Sequence, residues 1–414
     1  MKNFWINFSA ASIGNIFEHY DKALFAFLAP FLAPLFFKQQ DPITALILTY
    51  AIMPLGLFSR PLGALIFGRL GDHKGRKRVL YITLLGMALT TILMGSIPTY
   101  AQIGWGAPAL LALGRLFQSF FASGETTGGS LLILESCKQE KRGFYNSLYG
   151  CSTILGILLA SFGVTFFSLK GSIETSWRML YWIGGITGIM GLLVRTFADE
   201  VMIAPMKKSP LFSLLFQYRS QFLIIALTSG FSYANYYMLT SLLNGYLPLI
   251  SSITKPQAME ASTLILCFDF LILPLAGLLA LRFPKEKLLL FFGTLITILA
   301  IPLYASLSGT TLLAATIIRL FLVILGVGFS VVLAPFYQDL VPPEHRFTII
   351  ALGNAIGSQL LGTSACTISF YLYKKTALAC APALYLIPLG ALACAAVLFA
   401  KRLIAPIPLK EPSH

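Results

Sequence analysis

Eight ionisable side chains interrupt otherwise apolar stretches of this sequence: Glu18, Asp21, Lys22, Arg60, Arg115, Glu125, Asp269 and Arg319. A charge in the middle of a membrane span costs about 3 kcal/mol on insertion scales, so its presence points to an ion path, a proton relay or a substrate contact. Glu18 and Asp21 are three residues apart and Lys22 follows Glu18 by four, which on a helix puts them on neighbouring positions of one face. Two readings are open. Lys22 simply neutralises Glu18, or Glu18 and Asp21 are desolvated carboxylates that take up and release a proton during a working cycle. If Lys22 pairs with Glu18, the proton carrier is Asp21 or Glu125.

Arg115, Gln118, Ala122 and Glu125 follow 3-4-3 spacing and share a broad helix face. Arg115 lies about 15 Å from Glu125 at the helical rise, too far for a direct pair. It is free to meet a carboxylate of the first helix or an anionic group of a substrate. Asp269 has no cation near it in sequence. Tyr233, Asn235, Tyr236, Tyr237, Asn244 and Tyr246 form a polar-aromatic stretch suited to a wet cavity that faces a zwitterion or a carboxylate, although tyrosine also concentrates at membrane interfaces. The substrate-binding candidates are therefore Tyr20, Tyr233, Asn235, Tyr236, Tyr237, Asp269 and Arg319, with structural pairing as the alternative for Arg319.

The elements that must position these groups follow from composition. Over 414 residues the chain is 57% hydrophobic and 11% charged, with a mean hydropathy of +0.80, which leaves too little polar surface to coat a globule in water. The solvent is a lipid bilayer. Apolar runs broken by charged or Pro/Gly turns predict twelve helices, at 12–37, 44–70, 79–98, 107–134, 146–169, 177–197, 219–249, 260–281, 287–307, 311–336, 348–373 and 379–400. The turn from Gly68 to Arg78 packs Arg69, Lys74, Arg76, Lys77 and Arg78 between two spans, and a cationic turn resists translocation. Alternating the turns puts about twenty Lys/Arg on that side and about five on the other. Both termini are then cytoplasmic, in a multi-pass protein of the cell inner membrane. The first span carries Glu18 and Asp21, which a cleavable signal peptide does not tolerate, so it is expected to stay.

The polar connection 198–218 divides the chain into two six-helix bundles, 1–197 and 219–414. The second half repeats part of the first: Arg115-Leu116-Phe117 recurs as Arg319-Leu320-Phe321, Gly124 as Gly328, Glu135 as Asp339, Arg142 as Arg346 and Tyr181 as Tyr385. Matched polar residues without a gap imply two similar bundles related by an axis along the membrane normal, with the ligand between them.

Other chemistries lack their apparatus. The net charge of +14 is scattered over short turns, which gives no footprint for nucleic acid. Six cysteines are widely spaced and four histidines dispersed, so neither a disulfide framework nor a metal site is expected. Neither a G-x-x-x-x-G-K-[ST] loop nor a G-x-S-x-G elbow occurs, and the chain is expected to be no enzyme, to need no cofactor and to imply no obligate protein partner.

The turn Gly68, Leu70, Asp72, Gly75, Arg76, Lys77 resembles the signature of the major facilitator superfamily. Gly14 to Asp21, Gly124 to Gly129 and Lys141 to Tyr145 are similar, more narrowly, to the metabolite:proton symporters, which include proline/betaine and organic-acid carriers. His19 stands where that family usually has Trp, and the second copy of the cytoplasmic signature has decayed to Arg282-Phe283-Pro284-Lys285-Glu286-Lys287. The resemblance implies an all-α fold of twelve transmembrane helices and proton-coupled symport of a small organic metabolite by alternating access. It implies a coupling role for Arg115 beside Asp21, Glu18 and Glu125. Gly68, Asp72, Gly75, Arg76, Glu135, Arg142, Asp339 and Arg346, at the cytoplasmic helix ends, make an inner gate, or serve topology and capping alone. Export by proton antiport and a membrane sensor that binds without transporting are the alternatives.

Overall fold

The computed structural model describes residues 2–38, 41–74, 76–123, 142–196, 211–342 and 345–403, and among them twelve long helical rods. They are α1 (Lys2–Phe36), α2 (42–74), α3 (Arg76–Gly95), α4 (Gly106–Ala122), α5 (Arg142–Leu169), α6 (Ile173–Thr196), α7 (219–250), α8 (Lys255–Leu279), α9 (Lys285–Ala305), α10 (312–340), α11 (346–376) and α12 (Ala381–Leu403). Seven described stretches combine length with apolarity enough to cross a membrane, from Thr348–Thr376 at hydropathy 1.2 to Leu312–Leu340 at 2.6. The rods outside that set include α1 and α7, whose polar side chains face the interior.

Local chemistry fixes the ends and the bends. Asp41 caps α2 by accepting from the Ile43 N–H at 3.1 Å, with Pro42 in the first turn where its missing N–H costs nothing. Thr254 and Gln257 form a capping box that starts α8 at Lys255, five residues earlier than hydropathy predicts. Helix α1 likewise starts at Lys2 rather than 12, because no proline or glycine interrupts residues 2–13. The end of the expected linker, Leu211–Gln217, is a short helix. Four rods are not continuous α-helix: α2 tightens to a 3-10 turn at Met53–Leu55, α10 is broken by a turn at 331–332 between Leu312–Ser330 and Leu333–Leu340, and α7 and α11 widen to π-turns at Met238–Leu242 and Gly357–Gly362.

Helices α1 and α7 are innermost: Leu24 to Ala29 and Leu242 to Leu247 are almost wholly buried, whereas Phe58, Leu93, Phe162, Leu271, Ile298 and Leu313 project outward as lipid-facing surface. The halves meet chiefly where α5 runs along α8 and where α2 meets α11. Exchanging the bundles turns α5 into α11 and α8 into α2, so the two contacts are one contact seen twice. This is the arrangement that a repeat about a membrane-normal axis requires.

Candidate functional site

Between the halves lies a cavity of about 410 Å³. Its walls come from Asn15, His19 and Lys22 of α1, Arg60 of α2, Asn146 and Thr153 of α5, Tyr233, Asn235, Tyr236 and Tyr237 of α7, Asp269 of α8, Tyr337 and Gln338 of α10, and Asn354 and Gln359 of α11. Positions 15, 19, 22 and 26 of α1 follow helical 3-4 spacing and give the cavity one stripe, whereas α7 lines it more broadly, with 229, 233, 236 and 240 joined by 232, 235, 237, 239 and 241. In almost every rod these residues lie toward the end shared with Lys2, Arg142, Arg219 and Arg346. The hollow therefore belongs to that face of the protein, called here the N-terminal face.

The opposite face is sealed across the halves. Lys374 of α11 forms an ion pair with Asp41 at 2.5 Å and also engages Thr44. The Tyr50 hydroxyl donates to the carbonyl of Ser241 at 2.9 Å, and Lys255 donates to that of Pro30 at 2.9 Å. The Thr263 hydroxyl lies 2.7 Å from those of both Ser161 and Thr165. Gly245 completes the seal by close approach, since a Cβ there meets Pro30 at 3.3 Å and Phe370 at 3.4 Å.

Charge in the cavity is unevenly disposed. Glu18 sits behind the wall, 1% exposed, in an ion pair with Lys22 and 3.9 Å from Arg60. One carboxylate thus serves two cations, and both cations reach the cavity. On the facing half, Asp269 is 2% exposed and has no hydrogen-bond or ion-pair partner among the described residues. Arg60 Nε, Asn235 Oδ1, the Tyr236 hydroxyl and the side-chain amide of Gln338 also lack partners among the described residues. The wall is therefore dipolar, cationic on the first half and anionic on the second, with the Tyr233 and Tyr237 rings stacked 6.4 Å apart beside it.

Asp21 faces away from the cavity into the first bundle. Its Oδ1 accepts from the Thr91 hydroxyl at 2.7 Å and the Gln118 amide at 2.8 Å, while the carbonyl oxygen of Gln118 accepts from Arg115 at 2.9 Å. Arg115 also lies over the Phe25 ring at 4.8 Å. The structure brings Asp21 and Arg115 into one network through Gln118 and sets Glu18 apart in another. Glu125 is outside the described residues. Tyr20 is not on the cavity wall; its hydroxyl donates to the Leu180 carbonyl at 2.9 Å.

Arg319 is also away from the wall. It is 0% exposed and donates to the carbonyls of Ala258 at 3.2 Å and Leu239 at 2.8 Å, to Asn244 Oδ1 at 3.3 Å and to the Ser262 hydroxyl. Leu239 belongs to the π-turn of α7, where i→i+5 pairing loosens the regular ladder and opens carbonyls to side chains. Arg319 therefore clamps α10 to α7 and α8. Sequence reasoning missed Lys22, Arg60 and His19 as cavity residues; the available signal was their 3-4 spacing with Asn15 and, for Arg60, the cost of a guanidinium inside a span.

Among the expected gate residues, Asp339 pairs with Lys285 of the decayed turn, and Arg346 caps the end of α10 by donating to the carbonyls of Gln338 at 2.8 Å and Val341 at 3.2 Å. The backbones of Gly68 and Asp72 lie in α2, and Arg76 and Arg142 begin α3 and α5. Gly75 and Glu135 are outside the described residues.

Two repeated bundles around a central hollow narrow the family, and the sequence decides it: a family model described as Major Facilitator Superfamily matches residues 12–365. The chain belongs to the major facilitator superfamily. It is a multi-pass membrane transporter. A proline/betaine transporter of Salmonella typhimurium is 28% identical over 375 residues, which cover 86% of this chain and 75% of that one. An alpha-ketoglutarate permease of Escherichia coli is 27% identical over 368 residues, 86% of this chain and 84% of that one. In structure, a D-xylose-proton symporter superposes with a TM-score of 0.76 over 97% of this chain and 98% of its own; at 15% identity this likeness speaks for the shared major facilitator fold.

Proposed function

We propose that the protein is a proton-coupled symporter of a small zwitterionic metabolite, working by alternating access. The observation that supports this most is the dipolar wall: Lys22 and Arg60 suit a carboxylate, and Asp269, with Tyr236 near it, suits an ammonium through charge and a ring face. A dicarboxylate would bring a second negative charge to a cavity whose second half already holds Asp269. The relative named as a proline/betaine transporter agrees with the zwitterion, and the alpha-ketoglutarate permease supplies the competing chemistry.

In this reading Asp21 carries the proton, Arg115 and Gln118 adjust its surroundings, and Glu18 holds the two cations in place, with Glu125 a further candidate. The N-terminal face is cytoplasmic, from the distribution of Lys and Arg, and the membrane is the cell inner membrane. Gly68, Asp72, Gly75, Arg76, Glu135, Arg142, Asp339 and Arg346 close that face when the seal at the other opens.

The test is uptake by reconstituted vesicles under an imposed proton gradient, with L-proline, glycine betaine and 2-oxoglutarate as labelled probes. Accumulation of either zwitterion, abolished by a protonophore and lost in Asp269→Asn, is the expected result. Accumulation of 2-oxoglutarate alone contradicts the substrate class, and uptake indifferent to the gradient contradicts the coupling.

A further inference from the structure

His19 lies on the α1 stripe of the cavity wall, one turn from Lys22, and its Nδ1 is 2.9 Å from the carbonyl oxygen of Asn15. A carbonyl oxygen can only accept, so Nδ1 carries the hydrogen. In the neutral ring the proton-free atom is then Nε2, and no partner for it occurs among the described residues. Around it on the same half the wall offers donors, the ammonium of Lys22 and the guanidinium of Arg60. We propose that His19 is a specificity-determining residue whose Nε2 accepts an N–H from the substrate's ammonium, so that the site favours primary and secondary ammonium zwitterions over quaternary ones.

This inference rests on the zwitterion reading of the cavity. The geometry is that of an α-amino acid. Its ammonium and carboxylate are carried on one carbon, and Lys22 and His19 present a donor and an acceptor one helical turn apart. A quaternary ammonium has no N–H, so seating it against His19 leaves Nε2 without a partner. An acceptor so stranded costs roughly 1–3 kcal/mol, on the order of tenfold or more in affinity.

The experiment compares binding of L-proline, N-methylproline and N,N-dimethylproline, which carry two, one and no N–H, to the purified protein. A loss of about tenfold confined to the last methylation is expected, from the cost of one stranded acceptor. In His19→Phe the three ligands should bind alike, and His19→Gln, whose amide oxygen can accept, should recover the preference. Equal affinity of the wild-type protein for the three overturns the role of His19 alone, and this needs no variant to fold. So does a preference that His19→Phe retains. Binding of none of the three overturns the zwitterion reading along with it.

Discussion

Lys255, at the first turn of α8 in the second bundle, donates to the carbonyl oxygen of Pro30 in the first bundle at 2.9 Å, and that carbonyl is open because Pro34, four residues on, has no N–H. The same logic recurs one turn earlier. Pro30 leaves the Ala26 carbonyl open, and the Tyr50 hydroxyl approaches it at 3.4 Å while donating to Ser241 across the halves at 2.9 Å. Two prolines that look like ordinary kinks thus set out acceptors at the seal. Replacing Pro34 with Ala restores an N–H to the helix, so Pro30 is re-engaged within α1 and Lys255 is released. A cysteine placed at the buried position of Leu46 should then react several-fold faster with an impermeant maleimide. Lys255→Met should have the same effect, and combining the two should add little because both remove one interaction. Unaltered labelling in both variants removes this contact from the seal.

The second part of the seal has a defined pH range. The hydrogen bond from Lys374, with a smaller one from Thr44, holds the Asp41 carboxyl down from 3.8 to about 2. A lowered carboxylate pKa means that the stabilisation is fully present above the ordinary value and disappears as pH falls toward the lowered one. From pH 4 to pH 8 the Asp41 carboxyl of the latch therefore keeps its charge. Asp41→Asn is expected to change the rate of transport but not the midpoints of its pH profile, and exchanging the two residues should restore the rate. Midpoints that move in Asp41→Asn contradict this assignment.

Close approach of α7 and α11 depends on Gly357. A Cβ at that position would stand 2.1 Å from Ser229 Oγ and 2.4 Å from the Ala226 carbonyl, and backbone does not yield as a side chain does. Gly357→Ala should lower stability by roughly 1–3 kcal/mol, as overpacking does. The thermal midpoint in detergent reads this out, with Gly106→Ala, where the nearest atom is 3.4 Å away, as the tolerated control. Equal midpoints for the two variants would show that the rods can part without cost.

The twelve rods were legible because charged and Pro/Gly turns separate them, even though only seven described stretches are long and apolar enough to cross a membrane, and the repeated Arg115 and Arg319 announced the two bundles. Tyr233, Tyr236 and Tyr237 were legible as polar density inside a span. What local pattern does not contain is partnership. Thr91 and Gln118 reach Asp21 from 70 and 97 residues away, so its environment depends on how α3 and α4 pack. Arg319 was recognisable as costly, but two of its four acceptors are backbone carbonyls, one of them in a π-turn with no sequence signature. Lys22 pairs with Glu18 as its spacing predicts, and yet the pair sits at the cavity, which spacing alone does not decide.

The network around Asp21 gives the sharpest test of coupling. Its one carboxylate oxygen accepts from both Thr91 and Gln118, and Gln118 is itself held by Arg115. Asp21→Asn keeps an acceptor of the same shape for both donors while removing the charge and the exchangeable acid proton. The fold and the cavity should therefore persist, since Asp21 does not line the wall. Accumulation driven by a proton gradient should fall to the level of empty vesicles, whereas exchange of labelled for unlabelled substrate, which needs no net proton movement, should continue within about threefold of wild type, a loss below 1 kcal/mol. Gln118→Ala frees Arg115 from its amide and should slow both processes. Full gradient-driven accumulation by Asp21→Asn would move the proton to another carboxylate, with Glu125 and Asp269 the next to test.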